Sequence, residues 1–195
     1  MKQFDIANLE KSAEMLDEEQ FWNIISTSLA QSQSDEEQEE LLVGEIAKLS
    51  PKEMIGFRLR TDKLLHDTYN SEMWCAGYII GGGCSDDGFE YFRNWIISRG
   101  KEVYYRAKEN PDTLAQIVAQ EVEELDFEGF GYVAIEAFGR KTGKDLSDYI
   151  DYEVFTNEEG SYPQVDFNWN EREPESMKAL CPQLFEKLWA RNISN

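Results

Sequence analysis

The sequence is poor in the residues from which metal centres and disulfide frameworks are built. One histidine, His66, and three cysteines, Cys75, Cys84 and Cys181, are scattered over 195 residues with no ligand-type spacing. That argues against a zinc site, and the odd cysteine number argues against a secreted disulfide scaffold, so a reduced, cytoplasmic chain with no metal or cofactor is expected. Basic residues are scarce too: 19 Lys and Arg stand against 39 Asp and Glu, a net charge of −20. A nucleic-acid surface needs cations to displace condensed counterions, and an anionic membrane needs the same, so neither is an expected partner. No segment approaches the roughly 20 apolar residues of a membrane span. The opening Met1-Lys2-Gln3-Phe4-Asp5-Ile6 lacks the apolar stretch of a signal peptide.

Hydrophobic residues make up 41% of the chain and aromatic ones 13%, enough for a packed core despite the charge. Their spacing is helical. Asp17 to Gln31 opens on acids and sets Phe21, Ile24, Ile25 and Leu29 on one face. The polar run 32–40 leads into a helix carrying Leu41, Leu42, Ile46 and Leu49. Ser50-Pro51-Lys52-Glu53 has the pattern of a capping box with proline at the first helical position, starting a helix that runs to about Tyr69. Ser71 to Ile80 is apolar all round and therefore buried, and Gly81-Gly82-Gly83 ends it. Ser85, Asp86 and Asp87 offer capping oxygens to a helix that places Phe89, Tyr91, Phe92, Trp95 and Ile96 at core spacings and stops at Gly100. Helices over Lys101 to Glu109, Thr113 to Glu124 and Gly129 to Lys141 follow. Sustained two-residue alternation is missing throughout, so the expected fold is mainly α.

The C-terminal part differs in character. From Asp145 to Glu171 there are eight acids and no base, interleaved with Tyr149, Tyr152, Phe155, Tyr162, Phe167 and Trp169. This segment, 145–171, is expected to be irregular, and Pro174 to Arg191 to return to helix with a break at Pro182. No linker or repeat divides the chain, so a single multi-helix domain with the hairpin 72–99 at its centre is expected.

Two places can carry chemistry. The turn Gly81-Gly82-Gly83-Cys84-Ser85-Asp86-Asp87 has the glycines of an anion loop. It holds no lysine, however, and two carboxylates occupy the phosphate's place, so tight turning and helix capping are the expected roles. Asp86, Asp87 and Glu90 match no known cation loop, and Cys84 ahead of a helix is a thiol nucleophile only if a base lies beside it. Arg93, on the same helix, is expected in an internal ion pair. The second place is the acidic-aromatic segment, because aromatic anchors set among charges are what protein interfaces use at their energetic centres.

The run Trp74-Cys75-Ala76-Gly77-Tyr78-Ile79-Ile80, then Gly82-Gly83-Cys84-Ser85-Asp86-Asp87-Gly88-Phe89-Glu90-Tyr91-Phe92-Arg93-Asn94-Trp95-Ile96-Ile97-Ser98, resembles the signature of a bacterial family called domain of unknown function 4240. Asp17-Glu18-Glu19-Gln20-Phe21-Trp22 and Leu49-Ser50-Pro51-Lys52-Glu53 are similar to it as well. The resemblance spans roughly residues 17–143 and implies no catalytic residue, since the family has no assigned function.

Charge and composition together point to a cytoplasmic protein that binds or inhibits a basic protein, an immunity protein against a toxin being the concrete form. The expected contacts are Tyr149, Asp151, Tyr152, Glu153, Phe155 and Trp169. The alternative is an enzyme or small-ligand protein using Cys84, Asp86, Asp87 and Arg93. Under that reading the two aspartates face a cleft; under the capping reading they bond backbone N–H groups and there is no cavity.

Overall fold

The structure is a computed structural model that describes residues 6, 8–119 and 125–189. The fold is mainly α. Helix follows helix, and among the described residues there is no strand; one isolated parallel bridge joins Ser12 to Ile150. The described residues group into two compact units, each drawn from separate stretches of chain. The first comes from Met1–Leu64, Ser98–Gly100 and Glu128–Ser161, the second from Leu65–Ile97, Lys101–Phe127 and Tyr162–Asn195.

In the first unit, α1 (Glu18–Gln31) starts where the Asp17 carboxylate accepts the Gln20 N–H at 3.0 Å, and α2 (Asp35–Ile46) where Ser34 Oγ accepts the Glu37 N–H at 3.2 Å. Each such cap satisfies a donor that the first helical turn leaves open. At the start of α3 (Pro51–Asp67) the capping box forms in full: Ser50 N–H donates to Glu53 Oε2 at 2.8 Å, and Glu53 N–H to Ser50 Oγ at 3.3 Å. The Ser50 hydroxyl, which donates to Glu53 Oε2 at 2.6 Å, and then the Ser50 N–H hold the Glu53 carboxyl below its ordinary value. Phe21 of α1 meets Phe57 of α3 with ring centroids 4.6 Å apart, and Ile25, Leu42, Ile46, Met54 and Leu59 are fully buried around them. An extended strap leads into α1. Leu16 N–H donates to Gly56 O at 2.9 Å, and Arg60 donates twice to Leu16 O, from Nε at 3.0 Å and Nη2 at 2.8 Å. A Cβ on Gly56 would lie 2.6 Å from the Leu16 backbone nitrogen, so only glycine lets the strap approach this closely.

The unit is completed by a 3₁₀ turn (Glu128–Tyr132), α7 (Val133–Thr142), a second 3₁₀ turn (Leu146–Tyr149) and α8 (Tyr152–Glu159). α7 packs on α2 and ends at Gly143, whose φ of 70° favours glycine. Fully buried Gln38 donates to Ser98 O at 2.9 Å and accepts from Arg99, which also reaches Asp35 at 2.8 Å. Glu39 lies close to Glu36, Glu40 and Glu136, and burial together with these like charges raises its carboxyl.

The second unit contains α4 (Ser71–Gly81), most of α5 (Asp86–Ser98), α6 (Lys101–Glu109), a 3₁₀ turn (Pro111–Gln116), α9 (Pro174–Leu180) and α10, which opens with Pro182–Leu184 and continues as a π turn over Phe185–Trp189. Met73, Cys75, Ala76 and Ile79 of α4 are completely buried, as all-round apolarity requires. Trp74 stacks on Phe89 of α5 at 3.8 Å between centroids, so the expected hairpin packs face to face. Asp112, 3% exposed, anchors α10 from a distance: its carboxylate accepts the Gln183 N–H at 3.2 Å, the Gln183 side-chain amide at 3.0 Å and the Leu184 N–H at 2.9 Å. Lys187 adds a bond to Ala115 O at 2.7 Å.

Three local expectations are corrected. The chain from 113 is a 3₁₀ turn rather than an α-helix, because Asp112 is committed to α10; the rest of that expected helix, 120–124, lies outside the described residues, as does Arg191. The segment 145–171 is not wholly irregular, since Asp151 caps α8 by accepting the Val154 N–H at 3.2 Å. At α5 it is Ser85, not the aspartates, that caps: its Oγ accepts the Gly88 N–H at 3.1 Å and its carbonyl the Phe89 N–H at 2.8 Å.

Candidate functional site

The turn between α4 and α5 borders a small cleft. Gly82, with φ of 67°, ends α4 in the left-handed conformation and Gly83, with φ of 152°, follows. Beside them Gly77, Ile80, Cys84, Ser85, Phe92 and Asp126 line a cavity of about 90 Å³. Cys84 is half-buried there and donates to Ser85 O at 3.6 Å. Asp86 and Asp87 are exposed and are not among the lining residues. Neither form of the sequence expectation holds at this turn: there is a cleft, but the two aspartates neither face it nor cap the helix.

Arg93 is elsewhere and buried. It is 3% exposed, and its Nε donates to Phe89 O at 3.1 Å while Nη1 donates to Leu65 O. The guanidinium carbon sits 4.3 Å from the Phe89 ring centroid, 5.1 Å from that of Tyr69 and 6.0 Å from that of Tyr162. Trp74 and Arg93 cannot share one face of Phe89 at these distances, so the ring is sandwiched between them. The internal ion pair expected for Arg93 is replaced by carbonyls and π-faces; among the described residues no carboxylate lies within 4 Å of it. Burial lowers the guanidinium from its ordinary value, with Tyr162 and Glu90 opposing. One helical step on, Asn94 is fully buried, and neither polar atom of its side chain has a protein partner among the described residues.

The acidic-aromatic residues fall in both units. In the first, Tyr149 is half-buried against Phe138 at 5.6 Å, and its carbonyl accepts the Ser12 N–H at 3.0 Å. Asp151 is used as the α8 cap. Phe155 is 8% exposed and belongs to the core. Tyr152 is 46% exposed and Val154 42%, with exposed Glu153 between them. Partial burial and the Asp62 carboxylate raise the Tyr152 phenol above its ordinary value. In the second unit, Trp169 donates its indole N–H to Ser71 O at 2.9 Å and packs on Tyr78 at 5.3 Å. Asn168 grips the same helix start, accepting from Ser71 Oγ at 2.6 Å and donating to Glu72 at 3.0 Å. Trp169 is therefore a docking residue for its own segment. The half-exposed aromatic side chains there are Tyr162, 51% exposed and edge-on to Tyr69 at 4.8 Å, and Phe167, 54% exposed and edge-on to Trp169 at 5.7 Å. Neither was singled out from sequence as a contact, because both lie among other aromatics with nothing in the spacing to separate inward from outward. Tyr78, hydrogen-bonded to Glu171 at 2.9 Å, has its phenol raised by burial and by that carboxylate.

Fold and surface thus define a mainly α-helical, strongly acidic protein with exposed aromatic and aliphatic side chains on its C-terminal acidic stretch. Residues 16–140 match the family described as protein of unknown function DUF4240, and the chain belongs to that family. No curated protein and no solved structure matches the chain. Among the described residues there is no cluster of three or more His, Cys, Asp or Glu side chains able to hold a metal ion, and no helix long and apolar enough to cross a membrane.

Proposed function

We propose that this chain is a protein-binding protein of the bacterial cytoplasm, an immunity-type inhibitor that covers the active face of a basic toxin. The observation that carries the reading is the first turn of α8, where Tyr152 and Val154 are exposed on either side of Glu153 within a stretch of eight acids and no base. Apolar side chains contribute at the centre of an interface when desolvated, while a one-signed field speeds encounter with a cation and selects for it. A toxin acting on nucleic acid carries the complementary charge, because it must itself hold phosphates. The test is affinity capture from the native lysate at low and at high salt, with wild-type protein and the Tyr152→Ala/Val154→Ala variant. A stoichiometric basic partner that elutes with salt, and is lost with the variant, supports the reading. Absence of such a partner at either salt, or one held unchanged by the variant, refutes it.

The second reading, a small-ligand site at the α4–α5 turn, has the cleft beside Cys84 in its favour. Its volume of about 90 Å³ falls well below the roughly 300 Å³ at which ligand pockets usually begin.

A further inference from the structure

The second unit carries a row of aromatic rings that the reading above does not use. Tyr162 meets Tyr69 with ring centroids 4.8 Å apart, Tyr69 meets Trp74 at 6.3 Å, and Trp74 meets Phe167 at 6.1 Å. Phe167 then meets Trp169 at 5.7 Å, and Trp169 meets Tyr78 at 5.3 Å. All six belong to that unit. Trp74 is buried, Tyr69, Tyr78 and Trp169 are half-buried, and Tyr162 and Phe167 are exposed. The two exposed rings differ in their surroundings. Tyr162 already has a cation, since the Arg93 guanidinium carbon lies 6.0 Å from its centroid. Phe167 has carboxylates instead. Exposed Asp166 precedes it, Glu72 accepts from Asn168 Nδ2 at 3.0 Å, and Glu171 accepts from the Tyr78 hydroxyl at 2.9 Å. Between residues 162 and 173 the one base, Arg172, stands against Asp166, Glu171 and Glu173.

We propose that Phe167 is a docking ledge for an arginine side chain on an exposed segment of a basic protein. An aromatic face attracts a cation through its quadrupole, and a guanidinium lies flat on a ring while its N–H groups reach carboxylates at the rim. Both elements are present, and the chain beside Phe167 is fixed. Asn168 N–H donates to Ser71 Oγ at 3.1 Å, and that hydroxyl donates to Asn168 Oδ1 at 2.6 Å. Trp169 Nε1 donates to Ser71 O at 2.9 Å, and Asn170 N–H to Ser176 Oγ at 2.9 Å. Trp169 thus anchors the segment while Phe167 is held half in water, so little ordering remains to oppose binding. Charge selects the occupant. A second copy of this chain, at a net charge of −20, is repelled, and so is a nucleic acid. An uncharged apolar segment would cover the rim carboxylates without a counter-charge. A basic segment satisfies ring and rim together. The ledge goes beyond the α8 contacts, lies in the other unit and does not depend on them.

The experiment titrates the full chain with the peptide acetyl-Gly-Arg-Gly-Arg-Gly-amide and with its lysine, citrulline and glutamate counterparts, following the assigned Phe167 ring and Trp169 indole resonances by NMR. The arginine peptide is expected to shift both resonances saturably and the lysine peptide to bind several-fold more weakly; the neutral citrulline and the glutamate peptides shift neither. Phe167→Ala and Phe167→Leu each weaken the arginine peptide by about 2–30-fold, the span of an aromatic–cation contact. Leucine keeps an apolar side chain and so separates a π-face from apolar area. Asp166→Asn also weakens it, and Tyr152→Ala/Val154→Ala leaves it unchanged. Melting curves confirm that each variant is folded. Equal affinity for the arginine and citrulline peptides, wild-type affinity in Phe167→Leu, or shifts confined to α8 would overturn the ledge. Saturable binding at Phe167 with no basic partner captured from lysate would refute the immunity reading alone; a captured partner and a Phe167 ring unmoved by the peptide would refute the ledge alone.

Discussion

Replacing Asp112 tests how the C-terminal helices are held. Its carboxylate receives three donors, two from the backbone of Gln183 and Leu184 and one from the Gln183 side chain, at 3.2, 2.9 and 3.0 Å, while the residue is 3% exposed. Hydrogen bonds to a charged acceptor contribute about 1.5–3 kcal/mol each, and a buried donor left without an acceptor costs about 1–3 kcal/mol. In Asp112→Asn one oxygen still serves Leu184, but the new NH₂ faces the two Gln183 donors. Two bonds are lost and donors oppose donors, so a loss of about 3 kcal/mol is expected. Asp112→Ala removes all three acceptor contacts and leaves a small void, for about 3–5 kcal/mol. At roughly 2–4 °C per kcal/mol in a chain of this length, the amide variant melts about 6–12 °C lower. The assay is urea unfolding combined with amide hydrogen exchange, which should show the Gln183 and Leu184 amides accelerating far more than those of α4. If both variants lie within 1 kcal/mol of wild type and those amides exchange at the wild-type rate, Asp112 does not anchor α10 and the reasoning fails.

The remaining predictions concern packing. Arg93→Met keeps the aliphatic stem between Phe89 and Tyr69 while removing a charge whose desolvation opposes its bonds, so it should cost at most about 2 kcal/mol; Arg93→Ala adds a cavity and should cost about 3–5 kcal/mol. Leu65 O still accepts from Thr68 in either variant, at 3.3 Å from N–H and 3.2 Å from Oγ1. Equal losses for Met and Ala, measured by denaturant unfolding, would show that the charge rather than the packing holds this cluster. Gly56→Ala forces a Cβ to within 2.6 Å of the Leu16 backbone and should destabilise by about 1–3 kcal/mol, although alanine is the better helix former. Gly44→Ala, also mid-helix but with nothing within 4 Å of the added carbon, should stabilise by about 0.5–1 kcal/mol. Matching signs for the two glycines would remove the close-approach argument.

The helices from Glu18 to Glu109 were legible because local chemistry dictates them: Asp17, Ser34, Ser50 and Ser85 supply the cap oxygens, and the buried residues recur at helical intervals. What escaped the sequence depends on distant partners. The turn after Pro111 contains Leu114 and Val118 at helical spacing, yet Asp112 is bound to residues more than 70 positions away, and that tertiary demand selects the tighter 3₁₀ geometry. α8 presents one buried residue, Phe155, too few to print a stripe, so its acids and aromatics looked like a loop. For the candidate site, composition marked an acidic-aromatic stretch but not which of its side chains face water. Trp169 looked like an anchor for a partner and instead anchors its own segment to Ser71, a pairing across 98 residues that no local pattern encodes. Arg93 was recognised as internal, but its counter-groups are carbonyls and ring faces, which carry no charge signature in a sequence.

The interleaving of the two units has a consequence during synthesis. The first unit requires Glu128–Ser161 as well as Met1–Leu64, and the second requires Tyr162–Asn195. A ribosome delivering residues in order therefore cannot release a finished unit early: the first waits for residues 128–161, and the second for the stretch that begins at Tyr162. Until then the nascent chain exposes apolar faces such as that of α4, whose buried partner Met177 lies 102 positions beyond Cys75. Completion of the second unit waits on α9 and α10, so a product that stops before them has no intact second unit and becomes a substrate for chaperones and proteases.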